Sequence, residues 1–184
     1  MTKLNLICTT SVITLLLFAS VFYGSCKKDV SENKCVNVVC ANGGECKDGK
    51  CICKSGYEGA NCELYWFTKF IGIWKMTHKF HDGNQTIQRT YTVVIKPTTT
   101  DATVILIDDF FGTANYDNVI CNLTSSKTFS LKENQTLAQN EFVVKSGNAT
   151  IDDLGIKITG SFTANLAWYG PTAERDITFE MIKQ

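Results

Sequence analysis

The sequence predicts a mainly β protein, in which a small disulfide-rich module precedes a larger antiparallel β-barrel of meander topology. Six of the nine cysteines lie between residues 35 and 62, which marks the module. From residue 64 onward, apolar and polar side chains alternate with a period of two. No segment there sustains a period of 3.6, so helices should be scarce. A two-sheet β-sandwich is the alternative to the barrel.

Composition limits the size and the partners of the protein. A chain of 184 residues has room for one ordinary domain and one small module. Its 18 basic side chains equal its 18 acidic ones, and no run of like charges stands out. The charge pattern therefore gives no reason to expect nucleic acid as a partner.

Residues 1–25 are predicted to be a signal peptide. Lys3 precedes an apolar stretch that runs from Leu4 to Tyr23. The stretch ends in "YGSC", where two small residues precede Cys26, and this resembles the lipobox of bacterial lipoproteins. The following "SCKKD" resembles the mature start of lipoproteins of the Bacteroidota. An uncleaved anchor helix and simple secretion are the alternatives.

The lipoprotein resemblance implies that Cys26 is acylated and becomes the first residue of the mature chain. The protein would then be anchored in a membrane, and we expect the outer membrane or cell surface of a Gram-negative bacterium. Residues 26–34 would form a lipidated tether. The eight residues between Cys26 and Cys35 reach roughly 30 Å when fully extended, so the module should lie close to the membrane.

Residues 35–63 resemble an EGF-like module. Gaps of four, five, four, one and eight residues separate the six cysteines, with "NGGEC" in the middle and "CICKSGYEGANCE" at the end. A module of about thirty residues needs cross-links, because it cannot bury enough apolar surface to offset its chain entropy. The resemblance implies three disulfides, Cys35–Cys46, Cys40–Cys51 and Cys53–Cys62.

We predict no metal and no cofactor for this module. A zinc site is the rival interpretation of clustered cysteines, but CxxC pairs are missing and an exported chain meets oxidising conditions. Some EGF-like modules bind calcium through residues between the third and fourth cysteines. Here only "KDGK" lies between them, so that motif is absent.

Residues 64–184 are predicted to form the barrel. In "IKITGSFTANLAWY", apolar residues recur at even positions from Ile156 to Trp168, as in a half-buried strand. Turn clusters such as "FFGTAN" and "KSGN" separate most strands. Closure into a barrel would remove exposed sheet edges. The expected strands are at about 70–80, 87–96, 103–110, 116–123, 127–131, 141–145, 156–168 and 175–183.

The segment "FIGIWK" resembles the GxW signature that opens the first strand of lipocalins. This resemblance implies a lipocalin-like barrel, in which Arg175 at the start of the last strand packs over Trp74. We interpret Trp74 as a core residue that closes one end of the barrel. We interpret Cys121 as a buried free thiol that behaves as a small apolar residue.

The first two barrel strands supply a candidate ligand site. Their inward faces would carry Trp74, Met76 and His78, then Arg89 and Tyr91. Polar His78 and Arg89 among apolar side chains would orient a small amphipathic ligand, such as one with an acidic group to meet Arg89. The alternative is a barrel filled by its own side chains, with Arg89 at the rim in water.

The sequence does not assemble a catalytic site. Asp108 and Asp109 are adjacent, so on a strand their side chains would point to opposite faces. His78 and His81 lack the further ligands that a metal centre needs. We therefore expect a non-enzymatic, membrane-anchored binding protein with the EGF-like module as a pedestal. The alternative is an adhesive or structural surface protein whose module contacts a protein partner.

Overall fold

The computed structural model describes residues 34–137, 142–167 and 173–184. The predicted signal peptide (1–25), the acylation site Cys26 and the tether up to residue 33 lie outside the described residues, as does Trp168. The chain from Lys34 to Gln184 forms one compact unit. No helix in the described parts of the chain is both long and apolar enough to cross a bilayer.

The N-terminal module is a cross-linked hairpin followed by a loop. Strands β1 (Glu45–Lys47) and β2 (Lys50–Ile52) pair antiparallel, and β3 (Tyr57–Glu58) pairs with β4 (Leu64–Tyr65) where the module meets the barrel. Three disulfides hold it together, and they are the pairs that the EGF-like resemblance implies: Cys35–Cys46, Cys40–Cys51 and Cys53–Cys62.

The remaining strands form a closed antiparallel barrel, which confirms the predicted fold class and decides against the sandwich. Eight strands follow one another around the barrel, with β9 paired to β11 and β13 paired back to β5, while the short β10 lies along β11. The strands are β5 (Gly72–Asp82), β6 (Gln85–Pro97), β7 (Val104–Asp108), β8 (Val119–Ser125), β9 (Thr128–Leu131), β10 (Thr136–Leu137), β11 (Phe142–Ile151), β12 (Lys157–Leu166) and β13 (Glu174–Lys183).

Alternation along the strands builds the core inside the barrel. On β5 the inward residues Trp74, Met76, His78 and Phe80 are buried, whereas Lys75 and its outward neighbours meet solvent. The described helical segments are short 3-10 turns, at Trp66–Lys69, Phe110–Gly112 and Ala114–Tyr116. Helices are therefore scarce, as the missing 3.6 period predicts.

Trp74 closes the end of the barrel at which β5 begins. Its side chain is fully buried and its indole Nε1 donates a hydrogen bond of 2.7 Å to the carbonyl oxygen of Phe70. The expectation that Arg175 packs over this ring is wrong. Because β13 runs antiparallel to β5, its last residue Lys183 lies opposite Trp74, with Nζ 5.2 Å from the ring centroid. Arg175 instead pairs with Asp82 at the other end, at 2.8 Å.

Two local expectations are also wrong. The cluster "KSGN" was expected to form a turn, yet it lies inside β11, where the register shifts between Val144 and Ser146 in a β-bulge. Gly147 is needed there because a Cβ on it would lie 2.5 Å from the Cβ of Phe162. The strands expected at 103–110 and 116–123 are shorter, since residues 109–118 leave the sheet.

This close approach gives a stability prediction. Gly147→Ala should lower the free energy of unfolding by about 1–3 kcal/mol, because the added methyl group forces β11 away from β12. Urea denaturation measures the change. Ser146→Ala, at the exposed neighbouring position, is the control and should stay close to wild type. Equal stability of the two variants would contradict the proposed close packing.

Candidate functional site

The predicted ligand residues separate into three locations in the structure. Trp74 is at the closed end, bonded to Phe70. His78 and Tyr91 meet inside the barrel together with Met76, while the side chain of Arg89 is exposed. Arg89 lies directly opposite His78 in the sheet register and still acts on it electrostatically.

His78 and Tyr91 form a buried polar pair in an otherwise apolar interior. The imidazole Nδ1 and the tyrosine hydroxyl share a hydrogen bond of 2.8 Å, and that hydroxyl also donates to the sulfur of Met76 at 3.5 Å. The backbone N–H of Phe111 donates a further hydrogen bond to the hydroxyl oxygen. Since the hydroxyl has a single proton, both contacts are satisfied together only when Nδ1 of His78 carries the other one.

The second nitrogen of His78 has no such partner. Nε2 is buried, and nothing among the described residues forms a hydrogen bond with it. In that tautomer, Nε2 is a bare lone pair that can accept a proton or a hydrogen bond. An unsatisfied polar atom in a core carries a desolvation cost of about 1–3 kcal/mol.

Burial sets the protonation states of this pair. Desolvation lowers the pKa of His78 to about 4, and the nearby guanidinium of Arg89 adds to the effect. Desolvation also raises the pKa of Tyr91 above its ordinary value. Both groups are therefore neutral at physiological pH.

The sequence analysis missed the segment that covers this pair. Residues 109–118, here called the plug segment, leave the barrel wall after β7 and return before β8. Phe110 is fully buried against Phe142 and Phe162, while the Phe111 ring lies 4.4 Å from that of His78. "FFGTAN" was interpreted as a turn cluster, and the paired phenylalanines were the signal that this turn faces the core.

The plug segment has an unusual backbone. Phe111 has a φ of 59° and Asp109 a φ of 55°, both in the left-handed region that costs a bulky side chain energy. Gly112 follows at 76°, where a Cβ would lie 2.9 Å from that of Tyr91. Two hydrogen bonds join the ends of the plug segment, which we call its neck. They run from Asp109 N–H to Asp117 at 2.9 Å and from Asn118 N–H to Asp108 at 2.8 Å.

The EGF-like module carries a second surface feature. Val36 and Val39 are 73% and 83% exposed, so the module presents aliphatic side chains to solvent. Val39 lines a shallow groove together with Asn37, Lys50 and Asn61. This groove is a candidate contact surface for a protein.

The thiol of Cys121 and clusters of possible metal ligands are the other candidate reactive centres. Cys121 is a free, fully buried thiol whose pKa is raised by desolvation, so it has little thiolate character. Among the described residues, no three His, Cys, Asp or Glu side chains come together in a group able to hold a metal ion.

Comparison with known proteins identifies only part of the chain. Residues 36–64 match the Teneurin-like EGF domain family. Together with the three disulfides, this match shows that the segment is an EGF-like module. No curated protein matches the chain.

Two solved structures resemble the barrel at low sequence identity. A redesigned beta barrel has 14% identity and a TM-score of 0.42, covering 64% of this chain and 93% of its own. A predicted outer membrane protein from Bacteroides fragilis NCTC 9343 has 16% identity and a TM-score of 0.37, covering 65% of this chain and 52% of its own. The chain thus spans about half of the Bacteroides protein. The assignment of the barrel rests on strand pairing and not on these two similarities.

The buried His78 predicts how stability depends on pH. Its pKa is about 4 in the folded protein and near 6.5 when unfolded, so between these values the unfolded chain binds more protons. The stability contributed by neutral burial is complete above pH 6.5 and is lost as the pH falls to 4, by about 3 kcal/mol. His78→Phe should flatten the curve of unfolding free energy over that range. His81→Phe, at an exposed position, should leave the curve unchanged, and a wild-type slope in His78→Phe would refute the assignment.

Proposed function

We propose that this chain is a membrane-anchored lipoprotein that acts as a non-enzymatic binding protein, with the EGF-like module as a pedestal for the barrel. The anchor is acylated Cys26, and the location is the outer membrane or cell surface of a Gram-negative bacterium. The barrel is the binding part, for a small amphipathic ligand or a protein partner.

The observation that carries the proposal is the fixed junction between module and barrel. The N–H of Trp66 donates to the carbonyl of Gly56 at 2.9 Å, and the rings of Tyr57 and Tyr65 lie 5.0 Å apart across the β3–β4 pair. A Cβ on Gly56 would come within 2.9 Å of the Ala102 side chain, so loop 98–103 packs closely on the module. A module held in this way transmits its own position to the barrel, as a pedestal must.

A non-enzymatic role is supported by the surroundings of the reactive groups. The imidazole of His78 bonds to the hydroxyl of Tyr91, and in the part of the chain that the structure describes no serine or cysteine forms a hydrogen bond with it. The thiol of Cys121 is buried with a raised pKa, and it donates a weak hydrogen bond to the carbonyl oxygen of Val119 at 3.9 Å. Neither arrangement provides the nucleophile and base that covalent catalysis requires.

The anchor predicts a change in membrane retention. Wild-type protein should have an intact mass corresponding to an acylated chain that begins at Cys26, and it should stay with the membrane fraction after a salt wash. Cys26→Ala should lose the acyl mass and be released from that fraction. Cys121→Ala is the matched control, since a buried thiol should not affect anchoring. A soluble wild type that begins at another residue would end the lipoprotein proposal.

The exposed groove of the module favours a second candidate function, adhesion by the module itself. Val39 would supply the apolar part of a contact in the groove, and Asn37, Lys50 and Asn61 its polar rim. The exposed Val36, three residues earlier, would add apolar area outside the groove. In this role the barrel would be a carrier for the module.

The two roles differ in which surface the partner needs. If adhesion occurs through the groove, the double variant Val36→Asp, Val39→Asp should reduce attachment of cells that display the full chain by about 10-fold or more. Leu154→Asp, on an exposed turn of the barrel, should leave attachment unchanged. Equal attachment of both variants would exclude the module as the adhesive surface.

A further inference from the structure

Burying His78 inside the barrel costs free energy, because one of its ring nitrogens loses its hydrogen bond to water. Its β-strand neighbours on the inward face, Met76 and Phe80, are apolar, and a phenylalanine would fit the same period without an unsatisfied nitrogen. Buried polar atoms in proteins nearly always have a partner, so the orphan Nε2 needs an explanation. A ligand that donates a hydrogen bond to Nε2 would provide it.

The plug segment occupies the place where the rest of such a ligand would lie. The ring of Phe111 is 4.4 Å from His78 and 5.0 Å from Phe142, so it fills the aromatic surroundings of the imidazole. Its φ of 59° stores strain that would be released if the residue moved. Phe110 beside it is fully buried and in ordinary contact with Phe162, so only one of the two rings is held under strain.

The two ends of the plug segment are bonded to each other. Asp109 and Asn118, which begin and end the segment, both have left-handed backbones and are bonded to Asp117 and Asp108. Residues that absorb backbone changes at the ends of an element are typical hinges. An outward swing of Phe111 about these two ends would leave the hydrogen bonds between the barrel strands in place.

We infer that a ligand displaces the ring of Phe111 from its place beside His78, and that this ligand is a small hydroxyl-bearing aromatic or similarly apolar molecule. Its ring replaces that of Phe111 among the aromatic side chains, and its hydroxyl donates to Nε2 of His78. This inference rests on the proposed binding role and specifies the ligand class for it. It places the site at His78, Tyr91 and Phe111, and it excludes Trp74 and the exposed Arg89 from direct contact.

p-Cresol and toluene test the inference, because they differ only in the hydroxyl group. Titration calorimetry of the full mature chain should show p-cresol binding about 10-fold more tightly than toluene, the value of one hydrogen bond to a buried acceptor. Phe111→Gly should bind p-cresol at least about 10-fold more tightly than wild type, since no ring has to be displaced. His78→Phe should lose the preference for p-cresol while it keeps its fold. Because the acylated chain is measured in detergent, this variant also shows how far each probe partitions into the detergent.

Several outcomes would overturn the inference. Equal affinity of Phe111→Gly for the two probes would mean that Nε2 holds only a buried water, and no binding to Phe111→Gly would mean a core that repacks. Phe111→Asn, whose side chain tolerates the left-handed backbone, gives an independent comparison if the glycine variant is poorly folded. Failure here would leave acylation of Cys26 and partner binding by the loops untouched, whereas loss of acylation would leave the cresol result unchanged.

Discussion

The pairing of β5 with β13 is the constraint on which the rest of the structure depends. It joins the first barrel strand to the last, so that each of the eight strands has a neighbour on both sides. Its register places Lys183 opposite Trp74 and Phe179 opposite His78. Because side chains alternate along a strand, a shift by one residue would turn His78 toward water and Lys79 into the core. The register of this closing pair therefore fixes the position of Trp74 at one end of the barrel and of His78 in its interior.

The interior combines two opposing demands. Aromatic packing among Phe110, Phe142 and Phe162 stabilises the barrel, and such ring pairs are worth about 0.5–1.5 kcal/mol beyond the area they bury. The bare nitrogen of His78 and the left-handed Phe111 both cost free energy in the same region. Proteins commonly accept such costs where a site must bind or move. The coincidence of both costs at one contact is what distinguishes this region from an ordinary core.

Sequence reasoning succeeded where the signal is local and periodic. The alternation in β5 and β12 predicted which residues face inward, including His78, because one buried face fixes the period. It failed at "KSGN", where turn-forming composition was outweighed by pairing on both sides of β11 and a bulge absorbed the extra residue. The position of Arg175 came from a family resemblance and not from register, so it was placed at the wrong end. The paired phenylalanines of the plug segment indicated a turn that faces the core, but its backbone conformation could not be predicted, because only tertiary packing holds a phenylalanine at positive φ.

The junction also fixes the direction in which the barrel presents its interior site. The module joins the chain just before Gly72, whereas His78 lies six residues further along β5, about 20 Å away at the usual rise per residue. The bonds from Gly56 and Tyr57 to the start of the barrel hold the module at the end sealed by Trp74. Strand β7 begins beside the module, because loop 98–103 packs on Gly56, and the plug segment follows the opposite end of that strand. The sealed end needs no access to solvent, since its indole is already bonded to Phe70. The module therefore lies at the sealed end, whereas the plug segment lies at the other end of β7 and contacts His78.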